Sequence, residues 1–280
     1  MNTYIETFIA HALKEDIGDG DYTSLSCIDP NQFSEAKLIV KENGILSGVE
    51  IALTVFRIVD QDLEIEVFIH SSSPVKKGDI VLTVAGKAQS ILRAERLVLN
   101  IMQRMSGIAT FTGHTAAIIA HTKCKLLDTR KTTPGFRFFE KLAVYQGGGV
   151  NHRFGLFDMI MIKDNHIDFA GGIKNALVRT FDYQHKNKLS LKVEIETRNL
   201  QEVKEVLESG FKVYRIMLDN YTPTALKEAV QLINGYCETE ASGGIDATTI
   251  KEYAETGVDF ISMGALTHSY KSLDLSLKAI

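Results

Sequence analysis

The segment LDTRKTTPGFRFFEKLAVYQGGGVNHRFGLFDMIMIKDNH, residues 127–166, begins and ends with apolar runs that close on basic residues. Arg130 and Lys131 follow Leu126-Leu127, and Lys163 ends the run Met159-Ile160-Met161-Ile162. Short apolar runs of this kind read as buried strands, so positive charge is expected at their C-terminal ends. Between them, Gly147-Gly148-Gly149 lets backbone approach a ligand closely, and His152-Arg153 follows soon after. Residues 123–163 hold eight Lys/Arg and three acids, a local excess of five positive charges in a chain whose formal net charge is −4. Concentrated positive charge in a mildly acidic protein predicts a pocket for an anion. Nucleic-acid binding would need a broad basic face and is not expected.

C-terminal to this segment, apolar runs alternate with helical patterns, the signature of βα units and a parallel sheet or barrel. Strands are expected at 125–128, 159–163, 191–196, 213–219, 236–240 and 260–263, with helices at 200–209, 223–234 and 246–256. Six strands are fewer than a complete eight-stranded barrel requires. Each is followed by polar or glycine residues: Asp128-Thr129-Arg130-Lys131, Lys163-Asp164-Asn165-His166, Glu194 and Glu196, Asp219-Asn220, Ser242-Gly243-Gly244, and Gly264-Ala265. Folds of this kind build their sites at that face, and the last two turns are where a phosphate is often held by backbone N–H groups. Glu194 and Glu196 lie two apart on one strand and share a face, and Asp219 ends the next. Beside basic groups such acids form ion pairs or hold Mg²⁺, directly or through water.

Upstream, Ile5, Phe8, Ile9 and Leu13 form one stripe of an amphipathic helix over 4–15, and the acid-rich stretch 15–21 reads as a turn. Runs at 36–41, 63–70 and 80–84 predict a small sheet. A helix is expected from Ser90 to about Gly107, and a second helical stretch over 110–121. The chain has 280 residues, 45% hydrophobic and 24% charged, enough for a full core in one or two domains. The N-terminus has no signal-peptide core, and no run of about eighteen apolar residues suggests a membrane span. Three cysteines without CxxC spacing fit a reduced cytoplasmic protein better than a disulfide or zinc framework.

Several motifs in chain order carry a family resemblance: Glu15-Asp16-Ile17-Gly18, Glu95-Arg96 with QRMSGIAT (103–110), DTRKTTPG (128–135), GGGVNHRFGL (147–156), IKDNHI (162–167), MLDN (217–220), EASGGI (240–245) and GALTHS (264–269). Together the sequence resembles the quinolinate phosphoribosyltransferase family from residue 15 to the C-terminus. The resemblance implies an N-terminal α/β open sandwich, residues 1–113, completed by 268–280, and an incomplete α/β barrel with mostly parallel strands, residues 114–267. The implied reaction joins quinolinate to phosphoribosyl pyrophosphate with Mg²⁺, giving nicotinate mononucleotide, pyrophosphate and CO₂ in NAD biosynthesis.

By the same resemblance, Arg130, His152, Arg153 and Lys163 match groups around the quinolinate carboxylates, and Arg104 matches an arginine supplied by the neighbouring subunit of a homodimer; a hexamer is left open. Lys131, Glu196 and Asp219 match residues around the phosphoribosyl group and its metal. Ser242, Gly243 and Gly264 match the phosphate-binding turns, and His268 falls at a matching position near the same end. Gly244, Ala265 and His268 are expected to bind the phosphoribosyl group and its phosphates with them. Lys131, Lys163, Glu196 and Asp219 are the expected catalytic set. Two other readings are carried forward: a molybdenum-associated relative, and a lyase that forms a Schiff base on Lys163.

Overall fold

The computed structural model describes residues 2–280 and divides into two compact units. The first comprises the chain up to Gly113 with Phe138–Gly148 and Ser269–Ile280; the second comprises His114–Arg137 and Gly149–His268. In chain order the elements are α1 (Asn2–Ile17), α2 (Tyr22–Cys27), β1 (Phe33–Val40), β2 (Gly44–Ile45), α3 (Val49–Val59), β3 (Glu64–Val67), β4 (Pro74–Val75), β5 (Ile80–Lys87), α4 (Ala88–Ile118), β6 (Lys125–Leu127), α5 (Arg137–Gln146) and β7 (Ile160–Ile162). They continue through α6 (Asp164–Ala170), α7 (Ile173–Lys186), β8 (Val193–Thr197), α8 (Leu200–Glu208), β9 (Arg215–Asp219), α9 (Pro223–Ile233), β10 (Glu238–Ser242), α10 (Ile250–Ala254), β11 (Phe260–Ser262), α11 (Ala265–His268) and β12 (Leu275–Ala279).

The first unit is built on an antiparallel sheet of order β12-β1-β5-β3. Ala36, Leu38 and Val40 alternate inward along β1, as the two-residue period of a strand dictates, and the C-terminal strand β12 pairs along its edge. The sequence predicts a helix break near Gly107, but α4 runs through it. A Cβ at Gly107 would lie 2.3 Å from the Lys271 carbonyl oxygen, so the glycine admits the C-terminal segment against the helix without ending it. Gly147 is similar: a Cβ there would meet the Ala109 carbonyl oxygen at 2.4 Å, so close packing against α4 is reason enough for this glycine. The segment 138–148, expected with the barrel, clusters with this first unit instead. The reason lies in its aromatics: Phe139 of α5 packs on Phe8 of α1 with ring centroids 4.7 Å apart, and Phe138 packs on Tyr4 at 5.8 Å.

The second unit is a six-stranded parallel sheet of order β6-β11-β10-β9-β8-β7 with helices between successive strands, the expected incomplete α/β arrangement. Val150 adds a parallel bridge to Leu127 beyond the β6 edge, a stub of a further strand. Local chemistry sets the helix starts: Asn199 caps α8 by accepting the Glu202 amide, and Thr222 caps α9 ahead of Pro223 at its first turn. All five residues of β8 are buried, two of them acids, Glu194 and Glu196. Fully buried acids are rare unless paired, so β8 directs attention to its neighbours.

Candidate active site

The C-terminal ends of the parallel strands bring the predicted groups other than Arg104 to one face of the second unit. Beyond β6, Arg130 and Lys131 are exposed, and beyond β7 so is Lys163. Arg137 ties the DTRK loop to the NHR loop: its Nε donates to Thr132 Oγ1 at 2.9 Å and its Nη1 to the Phe154 carbonyl at 3.0 Å. A second tie is the buried Asp128 carboxylate, which accepts the His152 amide at 2.8 Å. These contacts place Arg153 near Arg130. Burial first, and repulsion from Arg130 second, lower the pKa of Arg153 from its ordinary value. Two crowded guanidinium groups of this kind await an anion.

On the same face, Glu196 is the penultimate residue of β8 and Asp219 ends β9. The Lys163 ammonium lies 3.5 Å from Glu196, and His166 Nδ1 accepts the Lys163 amide at 2.9 Å, fixing the turn that presents it. Burial raises the pKa of Glu196 above its ordinary value; Lys163 opposes this, and the charge on Asp219 adds to the rise. Two mutually repelling carboxylates beside one ammonium form an all-oxygen donor set that suits Mg²⁺. Asn220, with φ of 58°, donates from Nδ2 to Asp219 at 2.6 Å and so orients its carboxylate. Gly243 makes this possible, because a Cβ there would stand 2.2 Å from Asn220 Oδ1. This close packing gives Gly243 a steric reason besides any phosphate role.

The last two turns meet Lys131. Thr267 is buried and donates to the Lys131 carbonyl at 2.8 Å, and a Cβ at Gly264 would lie 2.8 Å from the Lys131 side chain and 3.0 Å from His268 Nε2. Lys131, Gly264 and His268 are therefore close neighbours. Ser242, Gly244 and Ala265 occupy turns at the ends of β10 and β11, with Ala265 opening α11.

His152 faces inward. Its Nε2 is 3.1 Å from Glu194 and 3.3 Å from Glu240, while its Nδ1 accepts the Arg153 amide at 2.6 Å. Burial opposes the imidazolium, but the two carboxylates raise its pKa to about 9. The short bond from Arg153 needs the Nδ1 lone pair and so opposes that rise; this geometry holds the ring neutral with its proton on Nε2, toward the carboxylates. Burial holds Glu194 up, to about 7, whereas Glu240 is lowered because His152 and Arg215 outweigh its burial. His152, Glu194 and Glu240 have atoms close enough to enclose a metal ion, but Arg215 already supplies a cation there, 2.9 Å from Glu240 and 3.8 Å from Glu194. Arg215 and the role of Glu240 escape the sequence reading, although a charged residue inside an apolar strand run is a signal that could have found them.

Arg104 belongs to the first unit, where its guanidinium pairs with the buried Glu140 and lies 5.2 Å from the Tyr270 ring centroid.

The comparisons with known proteins agree along the whole chain. A family model described as the quinolinate phosphoribosyl transferase N-terminal domain matches residues 21–106, and that of the C-terminal domain matches residues 108–278. The chain is 50% identical over 288 residues to a chloroplastic nicotinate-nucleotide pyrophosphorylase (carboxylating) of Oryza sativa subsp. japonica, covering 98% of this chain and 77% of that protein. It is 40% identical over 273 residues to a probable enzyme of the same name from Bacillus subtilis (strain 168), covering 98% of this chain and 92% of that one. The solved structure of the nicotinate-nucleotide pyrophosphorylase from Francisella tularensis superposes with a TM-score of 0.94 at 38% identity, covering 100% and 97% of the two chains. With family models covering both units, the chain belongs to the quinolinate phosphoribosyltransferase family.

Proposed function

We propose that this protein transfers the phosphoribosyl group of phosphoribosyl pyrophosphate to quinolinate with loss of CO₂, giving nicotinate mononucleotide and pyrophosphate for NAD biosynthesis. The observation that carries the reading is the division of charge across one sheet face: Arg153 crowded by Arg130 on one side, and Lys163 with Glu196 and Asp219 on the other. Quinolinate is a dianion, and charge-assisted bonds from Arg130, Arg153 and Lys163 to its carboxylates contribute roughly 1.5–3 kcal/mol each. As pyrophosphate leaves, the ribosyl carbon takes on oxocarbenium character, which Glu196 and Asp219 stabilise, while Lys131 and the backbone N–H groups of the 242–244 and 264–265 turns face the developing negative charge. The pyridine nitrogen bonds to that carbon, and the cationic ring nitrogen stabilises the electron pair left on the adjacent ring carbon as CO₂ departs. A proton from solvent takes up that pair to give nicotinate mononucleotide. No protein nucleophile is required.

Mg²⁺ fits the oxygen donors of Glu196 and Asp219, directly or through water, and when bound it would neutralise phosphate charge. We also infer a homodimer in which the neighbouring subunit supplies Arg104 to the quinolinate pocket, and a cytoplasmic location. The odd number of cysteines, free in this structure, supports a reducing compartment. Among the described residues no helix is long and apolar enough to cross a membrane. The chloroplastic and mitochondrial names of plant relatives describe those proteins.

The Schiff-base reading is not favoured: Lys163 is engaged as a cation by Glu196, in a field of carboxylate-binding groups that a lyase does not need. The family match speaks for the quinolinate enzyme over the molybdenum-associated relative. Formation of nicotinate mononucleotide from quinolinate and phosphoribosyl pyrophosphate, with and without chelation of Mg²⁺, tests the assignment. Equal product with excess chelator would remove the metal from it.

A further inference from the structure

Arg215 stands at the start of β9, the far end of the strand from Asp219, and only 4% of it is exposed. Its guanidinium reaches across three adjacent strands, 2.8 Å from Glu238, 2.9 Å from Glu240 and 3.8 Å from Glu194, and lies 4.3 Å from the Phe260 ring centroid. Burying such a charge is costly unless its partners are fixed in return. Here the partners lead outward to the site. Glu194 and Glu240 converge on His152 Nε2, and His152 Nδ1 accepts the Arg153 amide. Both ring nitrogens of His152 are thus committed inside the protein. With Asp128 accepting the His152 amide, two consecutive backbone N–H groups, those of His152 and Arg153, are held by buried acceptors. The path of the backbone at Arg153, together with the bond its Nη1 donates to the Met159 carbonyl at 3.2 Å, sets where its guanidinium points.

We propose that Arg215 is a positioning residue for carboxylate binding, acting through Glu240 and Glu194 on His152, which seats the Arg153 backbone. His152 then serves quinolinate through Arg153 and not by direct contact. This rests on the functional reading given above for Arg153, and it adds a residue that no motif of the sequence contains.

The test compares Arg215→Met, Arg215→Lys and the charge-balanced pair Arg215→Met with Glu240→Gln, varying quinolinate and phosphoribosyl pyrophosphate in turn. The Met variants should raise the quinolinate KM by about tenfold or more, as loss of preorganised geometry does, with the KM for phosphoribosyl pyrophosphate within about twofold of wild type. Lysine should recover part of the loss. In parallel, the Arg153 amide should exchange with solvent faster in the Met variants by NMR, while the Phe154 and Gly155 amides, which donate to Asp158, keep their rates. Folded variants with an unchanged quinolinate KM and unchanged Arg153 exchange would overturn the proposal.

If the Met variants do not fold, His152→Asn and His152→Ala decide. Asparagine can place an oxygen where Nδ1 stands, so it should recover quinolinate KM relative to alanine, and equal values would overturn the proposal. Absence of quinolinate turnover by the wild-type protein would dispose of the functional reading alone, since amide exchange at Arg153 still decides the positioning role.

Discussion

Asp128 and His152 are 24 residues apart in sequence, and the buried carboxylate of the first accepts the backbone amide of the second at 2.8 Å. One strand end thereby holds two loops, the one carrying Arg130 and Lys131 and the one carrying Arg153. Removing the acceptor leaves a buried N–H unsatisfied. Asp128→Ala is expected to cost about 1.5–3 kcal/mol, the range for a hydrogen bond to a charged group, and also to raise the quinolinate KM. Urea unfolding and steady-state kinetics check the two effects. Asp128→Asn, which keeps an acceptor oxygen, should lose less of both.

Lys163 and Glu196 predict a pH effect. A protonated Glu196 cannot hold a cation, so Mg²⁺-dependent activity falls as pH drops through the Glu196 pKa, which burial places above the ordinary carboxylate value. Lys163 pulls that pKa down. Lys163→Ala should therefore shift the acid limb of the residual activity to higher pH, as well as raise the quinolinate KM. An acid limb that stays in place would show that Lys163 does not influence Glu196.

Much of this arrangement was legible in the sequence. The six runs from 125 onward became the six strands of the parallel sheet within two residues or so at each end. Strands β6, β7 and β11 follow the rule that buried parallel strands are apolar segments bounded by polar chemistry, whereas β8 (VEIET) and β10 (ETEAS) depart from it by carrying buried acids. The first unit was read less well. The segment VEIALTVFRIV folds as helix α3, although its β-branched residues have strand propensity, and the burial of Val49, Ile51, Ala52, Val55 and Phe56 overrides that preference. The extra bridge at Val150 and the ionic set around Arg215 depend on which strands lie side by side, and no local period encodes that. The ties made by Arg137, Asn220 and Thr267 were missed for the same reason: each serves a loop distant in sequence or a neighbour's carboxylate.

Gly243 offers a steric test. It has φ of 100°, and any Cβ would collide with Asn220, the residue that orients Asp219. Gly243→Ala should cost on the order of 1–3 kcal/mol in backbone strain and, by displacing Asn220, weaken Mg²⁺ activation and raise the KM for phosphoribosyl pyrophosphate. Differential scanning calorimetry and Mg²⁺ titration of the rate measure the two parts. A fully active, fully stable Gly243→Ala would refute the packing relationship.

The inferred homodimer can be checked by complementation. Arg104→Ala and Lys163→Ala should each be nearly inactive. After subunit exchange at equal concentrations, half the dimers are mixed and each has one intact site, so about 25% of wild-type activity should return. No recovery, with exchange verified by mass, would mean that Arg104 does not act across the subunit boundary.

The measurement that bears most directly on the central claim is a paired assay of the purified protein with phosphoribosyl pyrophosphate and Mg²⁺. One sample receives carboxyl-labelled quinolinate and the other nicotinate, with labelled CO₂ and mononucleotide mass followed in both. Arg130, Arg153 and Lys163 together offer more positive charge than one carboxylate needs, so the expected result is CO₂ with nicotinate mononucleotide from quinolinate and nothing from nicotinate. Product from nicotinate, or none from quinolinate, would contradict the assignment.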